Sequence, residues 1–168
     1  MKQLTIVRHA HAEKRAQDAE DFERQLDKRG RREAEQMAEL GHALGVRADY
    51  IVSSPAARAI STAKEFARAL GYPLPRIRHD DRIYMAGVAT LVTVVRSIPQ
   101  ASRHALLFGH NPGVSRLVGW LSGSAARGDL STAALCTLRT DLERWHDVAA
   151  GRFEVVRLRW PGDGGPQR

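Results

Sequence analysis

The chain has a single cysteine, Cys136, so neither an internal disulfide nor a multi-cysteine metal site can form. That cysteine sits in the apolar run Ala133 to Leu138 and reads as a small core residue. No apolar run approaches the ~18–20 residues needed to span a bilayer. Met1-Lys2-Gln3 leads straight into a strand-like run with no charged-then-apolar leader, so a cytoplasmic protein without a signal peptide is expected. Aromatic residues are only 6% of the chain and are not spaced for stacking on bases. Nor do five like charges occur in a row. Nucleic-acid and membrane partners are therefore not expected, even at a net charge of +7. The basic residues are scattered, with acids interleaved through residues 18–39, and they read as a solvated basic surface around an anion site. Internal repeats and linker-like stretches are absent as well. One domain over residues 1–160 is expected, with a frayed tail from Pro161 to Arg168.

What is present is an ordinary globular composition, 43% hydrophobic and 27% charged, in 168 residues, enough for one core. Leu4-Thr5-Ile6-Val7 is an apolar, β-favouring run that ends at Arg8-His9-Ala10. Two later stretches follow the same plan. Tyr50-Ile51-Val52 runs into Ser53-Ser54-Pro55 with Arg58 beyond, and Ala105 to Phe108 runs into Gly109-His110-Asn111-Pro112. Each reads as strand, polar junction and then a helix, with Pro55 and Pro112 at the first helical positions and Ser54 and Asn111 as caps. Apolar periodicity predicts helices over Lys28 to Leu44, Pro55 to Leu70, Gly87 to Ile98 and Pro112 to Leu121. Strands are predicted at Asp49 to Ser53, Arg76 to Arg78, His104 to Phe108, Ala133 to Leu138 and Phe153 to Trp160. The last is read as a half-exposed edge with Val156, Leu158 and Trp160 on one face. Four βα units followed by two strands predict an α/β three-layer sandwich with a mostly parallel central sheet. Ligands bind at the carboxyl ends of such strands, which gathers Arg8, His9, Arg58 and His110 at one mouth. That is a site for an anionic phosphoryl group.

Taken together, Arg8-His9-Ala10, Ser53-Ser54-Pro55-x-x-Arg58-Ala59 with Thr62-Ala63, and Gly109-His110-Asn111-Pro112 resemble the histidine phosphatase superfamily. The short length and the Arg8-His9-Ala10 variant are most similar to its phosphohistidine phosphatase branch, of SixA type. The resemblance spans roughly residues 3 to 160 and implies a phosphoglycerate mutase-like fold. Within the long charged segment from Ala10 to Asp27, Asp21-x-x-Arg24-x-Leu26 followed by Gly30 resembles a family segment in which an aspartate and an arginine approach the site.

Phosphoryl transfer needs an in-line nucleophile and positive donors around three equatorial oxygens. His9 suits the nucleophile: a neutral imidazole nitrogen attacks phosphorus while the other, held protonated by a carbonyl, fixes the tautomer. Arg8 and Arg58 supply planar forks that match phosphate oxygens. The resemblance gives His110 the role of donor to a phosphoryl oxygen, adding charge if protonated. Ser53 and Asn111 are candidate substrate-binding groups, and Asp21 is the preferred proton-transferring carboxylate. The glutamate that larger relatives carry after the third strand is missing here, where Asp80, Asp81, Arg82 and Tyr84 stand instead. A phosphoramidate leaving group needs less help than an alkoxide, so this absence favours phosphohistidine.

His9 and His11 share a face in an extended chain, but the nearby carboxylates lack metallohydrolase spacing and two arginines would repel a cation. No metal and no cofactor are expected. His42, His79, His104 and His146 read as structural or exposed. Only about 33 residues separate the second helix from the Phe108 strand, leaving little room for a helical lid. An open basic mouth suits a phosphorylated protein as substrate. The alternatives are a small phosphorylated molecule handled by the same chemistry, and a non-catalytic phosphate-binding module. Binding alone does not require a nucleophile, which weighs against the module.

Overall fold

The computed structural model describes residues 1–17, 20–124 and 128–163. Six strands form one sheet: β1 (Lys2–Arg8), β2 (Tyr50–Ser53), β3 (Arg78–His79), β4 (His104–Gly109), β5 (Leu135–Thr140) and β6 (Glu154–Arg159). Their order in the sheet is β3-β2-β4-β1-β5-β6. β3, β2, β4 and β1 run parallel, and β5 and β6 add two antiparallel strands. Four helices, α1 (Lys28–Ala43), α2 (Ala57–Ala69), α3 (Val88–Arg96) and α4 (Gly113–Ser122), complete the three-layer α/β sandwich. The apolar stripes of α1 and α2 pack on one face around Met37, Phe66 and Phe108. Those of α3 and α4 pack on the other around Leu91, Leu117 and Trp145.

β4 lies between β1 and β2, pairing Ile6 with Leu107 on one side and Val52 with Leu107 on the other. Its side chains are buried throughout, as a strand covered on both faces requires. The carboxyl ends of β1, β4 and β2 are therefore neighbours, and the three motif-bearing junctions emerge side by side.

Several local expectations are corrected. α2 begins at Ala57 and α4 at Gly113, so Pro55 and Pro112 precede the helices rather than open them. Ser54 and Asn111 do not cap them, because both side chains are drawn into tertiary contacts described below. The 74–76 stretch is a 3₁₀ turn, leaving only Arg78–His79 as strand. β5 starts two residues late because Ala133, at φ 58, bends the chain while its N–H closes onto the His9 carbonyl. In β6 the ladder skips Val156, with Arg157 opposite Thr137 but Val155 opposite Leu138. This bulge reverses the alternation, so Val155 and Leu158 both pack on the core while Val156 is exposed. Of the tail, Pro161 to Asp163 forms a turn and residues 164–168 lie outside the described residues.

One close approach fixes the mouth. A Cβ at Gly30, in the first turn of α1, would stand 1.8 Å from the His11 carbonyl oxygen. Backbone meets backbone there, and neither side can rotate away. Gly30→Ala should cost at least ~3 kcal/mol, the upper end of overpacking penalties. A urea melt of the variant checks this, and a loss below 1 kcal/mol (about the cost of a tolerated core swap) would contradict the packing.

Candidate active site

His9 follows β1 directly, and its N–H donates to the Gly109 carbonyl of β4. Its ring is held by Nδ1, which donates to the Ala10 carbonyl at 2.7 Å. That peptide is itself fixed: the Ala10 N–H donates to Thr62 Oγ1 at 3.0 Å, and Thr62 donates to the Arg58 carbonyl at 2.8 Å. The Thr62 of the second motif thus holds the peptide that orients the His9 ring. With the proton on Nδ1, Nε2 carries the lone pair. Burial pushes the His9 imidazole down to about 4, with the Arg58 and Arg8 charges adding to it and the Ala10 bond opposing. It is a neutral base at physiological pH.

His110, at the end of β4, places its ring 5.1 Å from that of His9. Its Nε2 lies 2.7 Å from Ser54 Oγ. Among the described residues the buried Ser54 hydroxyl, which accepts the Ala56 N–H, has no acceptor other than Nε2, so its proton is assigned there and the His110 ring proton to Nδ1. Burial pushes His110 to about 3, helped by His9 and Arg58, so it donates as a neutral imidazole rather than as a cation. A bound phosphoryl dianion would raise both imidazoles, since an opposite charge favours the protonated form.

The two guanidinium groups are anchored at their outer ends. Arg8 Nη1 donates to the Leu130 carbonyl at 2.9 Å. Arg58, almost fully buried, donates from Nη1 to the Asp21 carbonyl at 2.6 Å and from Nη2 to Asp21 Oδ2 at 3.0 Å. Among the described residues, three buried side-chain nitrogens have no hydrogen-bond partner: Arg8 Nε, Arg58 Nε and His110 Nδ1. Buried polar atoms are nearly always satisfied, so three orphans within one cluster mark a place built for an acceptor.

Asp21 departs from its expected role. Its carboxylate accepts from Arg58, from Tyr84 Oη at 2.7 Å and from Arg24 Nε at 3.0 Å. The Tyr84 bond first, and the arginine charges after it, hold it down at about 2. It carries no proton to give at neutral pH and instead clamps Arg58 in place. The two other binding candidates are also engaged within the protein. Ser53 is fully buried and donates to the Ser54 carbonyl at 2.8 Å. The Asn111 side chain donates to the Leu130 carbonyl at 2.8 Å and accepts from Ser115 Oγ at 2.5 Å. Asn111 and Arg8 therefore share one acceptor, and Asn111 shapes the loop that holds Arg8.

His11 turns away from His9, its Nδ1 2.5 Å from Asp27 Oδ2, while Asp27 caps α1 through the Gly30 N–H. Among the described residues no three His, Cys, Asp or Glu side chains gather as metal ligands. His104 is buried, bonded to Thr5 Oγ1 at 2.8 Å, and belongs to the sheet rather than to the site. A cavity of about 520 Å³ lies elsewhere, between α4, β5 and β6, lined by Val118, Leu130, Phe153 and Leu158 among others. None of the cluster's histidines or arginines lines it.

Two participants escape a reading of the sequence. Glu33 accepts the His11 N–H and the Thr132 hydroxyl, joining α1 to the loops on both sides of the mouth. It stands on the buried stripe with Gly30, Ala34 and Met37, and that position was a usable signal. Ser54 looked like a cap and is a partner of His110.

Residues 4–83 match the family model described as histidine phosphatase superfamily (branch 1). Over that stretch, just under half of its 168 residues, the chain is similar to that superfamily. A search of curated proteins gives no match. Among solved structures, a candidate phosphohistidine phosphatase SixA from Agrobacterium tumefaciens is 25% identical at a TM-score of 0.79, covering 96% of this chain and 99% of that chain. The protein histidine phosphatase SixA solved with tungstate is 22% identical at 0.81, with 95% and 97% covered. A mycobacterial glucosyl-3-phosphoglycerate phosphatase is 17% identical at 0.67, with 95% and 98% covered, a likeness of fold. Superfamily and neighbours together support a phosphatase. No helix among the described residues is long and apolar enough to cross a membrane.

The buried imidazoles predict how the protein responds to acid. His9, His104 and His110 sit at about 4, 4 and 3, each lowered first by burial, against an ordinary value of 6.5. As pH falls, the unfolded chain takes up these protons first. Their contribution to stability is complete above 6.5 and is lost as pH falls through about 4. Asp21 acts lower, stabilising above 3.8 and losing its effect toward 2. Urea midpoints should fall steeply between about pH 6.5 and pH 4, ahead of carboxylate titration. A flat profile there would contradict three buried neutral imidazoles.

Proposed function

We propose that this protein is a histidine phosphatase that works through a covalent phosphohistidine on His9, without a metal ion, and that its phosphoryl donor is a phosphorylated protein, with phosphohistidine the preferred group. The observation that carries the reading is the set of three unpartnered buried donors, Arg8 Nε, Arg58 Nε and His110 Nδ1, around an imidazole whose Nε2 is free to attack. Three donors match the three equatorial oxygens of a transferring phosphoryl group, where charge builds up. Nε2 of His9 bonds to phosphorus, the leaving group departs in line, and water then releases phosphate.

The protein-substrate part of the reading draws on the shape of the mouth. Between α2 and β4 there are only 3₁₀ turns, the two-residue β3 and α3, and α3 packs beside α4 within its layer. The segment ahead of α1 is the wall that reaches the site, through Asp21. Exposed Phe22 stands on that wall against Tyr84, whose neighbour Met85 is also exposed.

Incubation with a labelled phosphodonor should place acid-labile, base-stable phosphate on His9, and turnover should persist in EDTA. Loss in EDTA with recovery on adding a divalent cation would overturn the metal-free mechanism. A panel of phosphohistidine peptide, phosphoserine peptide and sugar phosphate tests the donor. A preference for the sugar phosphate would overturn the protein-substrate reading.

A further inference from the structure

Nothing in the cluster so far supplies a proton to the leaving group, and an alkoxide or aryloxide leaves phosphorus poorly without one. Asp21 is ionised and accepts from three donors. His9 has one nitrogen on Ala10 and the other directed to phosphorus, and His110 divides its nitrogens between Ser54 and a phosphoryl oxygen. The hydroxyls of Ser53 and Ser54 are fully buried and engaged. Guanidinium groups are too basic to give up a proton. Among the described residues one acidic proton remains against this cluster, on the phenol of Tyr84.

We propose that Tyr84 is the proton donor to the leaving group, an assignment that rests on the His9 phosphotransfer described above. Tyr84 follows the 3₁₀ turn Asp81–Ile83, and the next residue, Met85, has φ 53. A non-glycine residue in that region is held there by its surroundings, and such strain gathers at functional sites. The ring of Tyr84 stands edge-on to the buried His110 at 5.5 Å and to the exposed Phe22 at 5.2 Å. Its Oη and Arg58 Nη2 donate to the same oxygen of Asp21. The phenol is thus fixed from both sides of its ring and from its hydroxyl.

As Nε2 of His9 bonds to phosphorus, the bond from phosphorus to the leaving oxygen breaks, and the Oη proton of Tyr84 moves to that oxygen. The phenolate formed stands beside the Arg58 guanidinium. Water then attacks phosphorus on His9, the bond from phosphorus to Nε2 breaks with its electron pair returning to that nitrogen, one water proton goes to the phenolate, and the water oxygen leaves in inorganic phosphate. Water is the sole co-reactant. The hydrogen bond to Asp21 raises the phenol above its ordinary value and keeps the proton in place at rest, while Arg58 acts in the opposite sense and favours the phenolate.

The test compares phenyl phosphate with para-nitrophenyl phosphate, donors of similar shape whose leaving groups differ in their need for a proton. In Tyr84→Phe, kcat/KM should fall ~100-fold with phenyl phosphate and no more than a few-fold with the nitrophenyl ester. Asp21→Asn, which keeps the phenol and loosens the Arg58 clamp, should lower both by a similar factor. Equal losses in Tyr84→Phe on the two esters would overturn the assignment and make Tyr84 a positioning residue for Asp21. Absence of acid-labile phosphate on His9 in the unmodified protein would instead overturn the phosphotransfer beneath it.

Discussion

His9→Ala should abolish turnover, by about 10⁵-fold or more, because in the proposed route both half-reactions pass through its Nε2. The size of the effect follows from geometry rather than from charge. Nδ1 is fixed on the Ala10 carbonyl, Thr62 fixes Ala10, and no other nitrogen in the cluster faces phosphorus with a free lone pair. Labelled phosphate should disappear from the variant altogether. Folding should survive, since His9 at about 4 is a burial that acid penalises. The alanine variant should therefore lose less stability than the parent between neutral pH and about pH 4. Residual turnover within 100-fold of the parent, a loss no larger than that of one supporting donor, would rule out the covalent route.

Arg58→Lys should cost about 10²–10³-fold in kcat/KM, the ~2.7–4 kcal/mol typical of losing a preorganised donor. The charge is retained, so the loss measures shape. Arg58 uses Nη1 and Nη2 on Asp21 and keeps Nε for substrate. A lysine ammonium is a point charge that cannot hold Asp21 from two directions and still present a donor inward. Arg8→Lys should behave similarly with a smaller loss, since Arg8 is anchored by a single bond to Leu130. A fully active Arg58→Lys enzyme would show that positive charge alone is needed there.

The motifs at the ends of β1, β2 and β4 were legible because each combines a local strand signal with chemically distinctive residues. Their convergence followed from the parallel order alone. What stayed hidden depends on contacts distant in sequence. Ser54 has the composition of a cap, and only the arrival of His110, 56 residues later, diverts its hydroxyl. Asp21 and Tyr84 meet across 63 residues, so the carboxylate looked like a proton donor when its partners make it a clamp. The bulge in β6 has no marker in Val155-Val156, and it inverted the predicted faces. Glu33 was hidden by its chemistry, as a carboxylate among helix-surface residues, although its helical position lay on the buried stripe.

The insertion of β4 between β1 and β2 governs when this enzyme can exist. A ribosome delivers β1 and β2 first, yet neither has its main neighbour until His104–Gly109 emerges. Half-made chains hold both arginines and the nucleophile but have no sheet to align them. Folding must therefore wait for late, non-local pairing, which is intrinsically slow and leaves apolar strands uncovered meanwhile. Catalytic competence arrives in one step, with the strand that closes the gap.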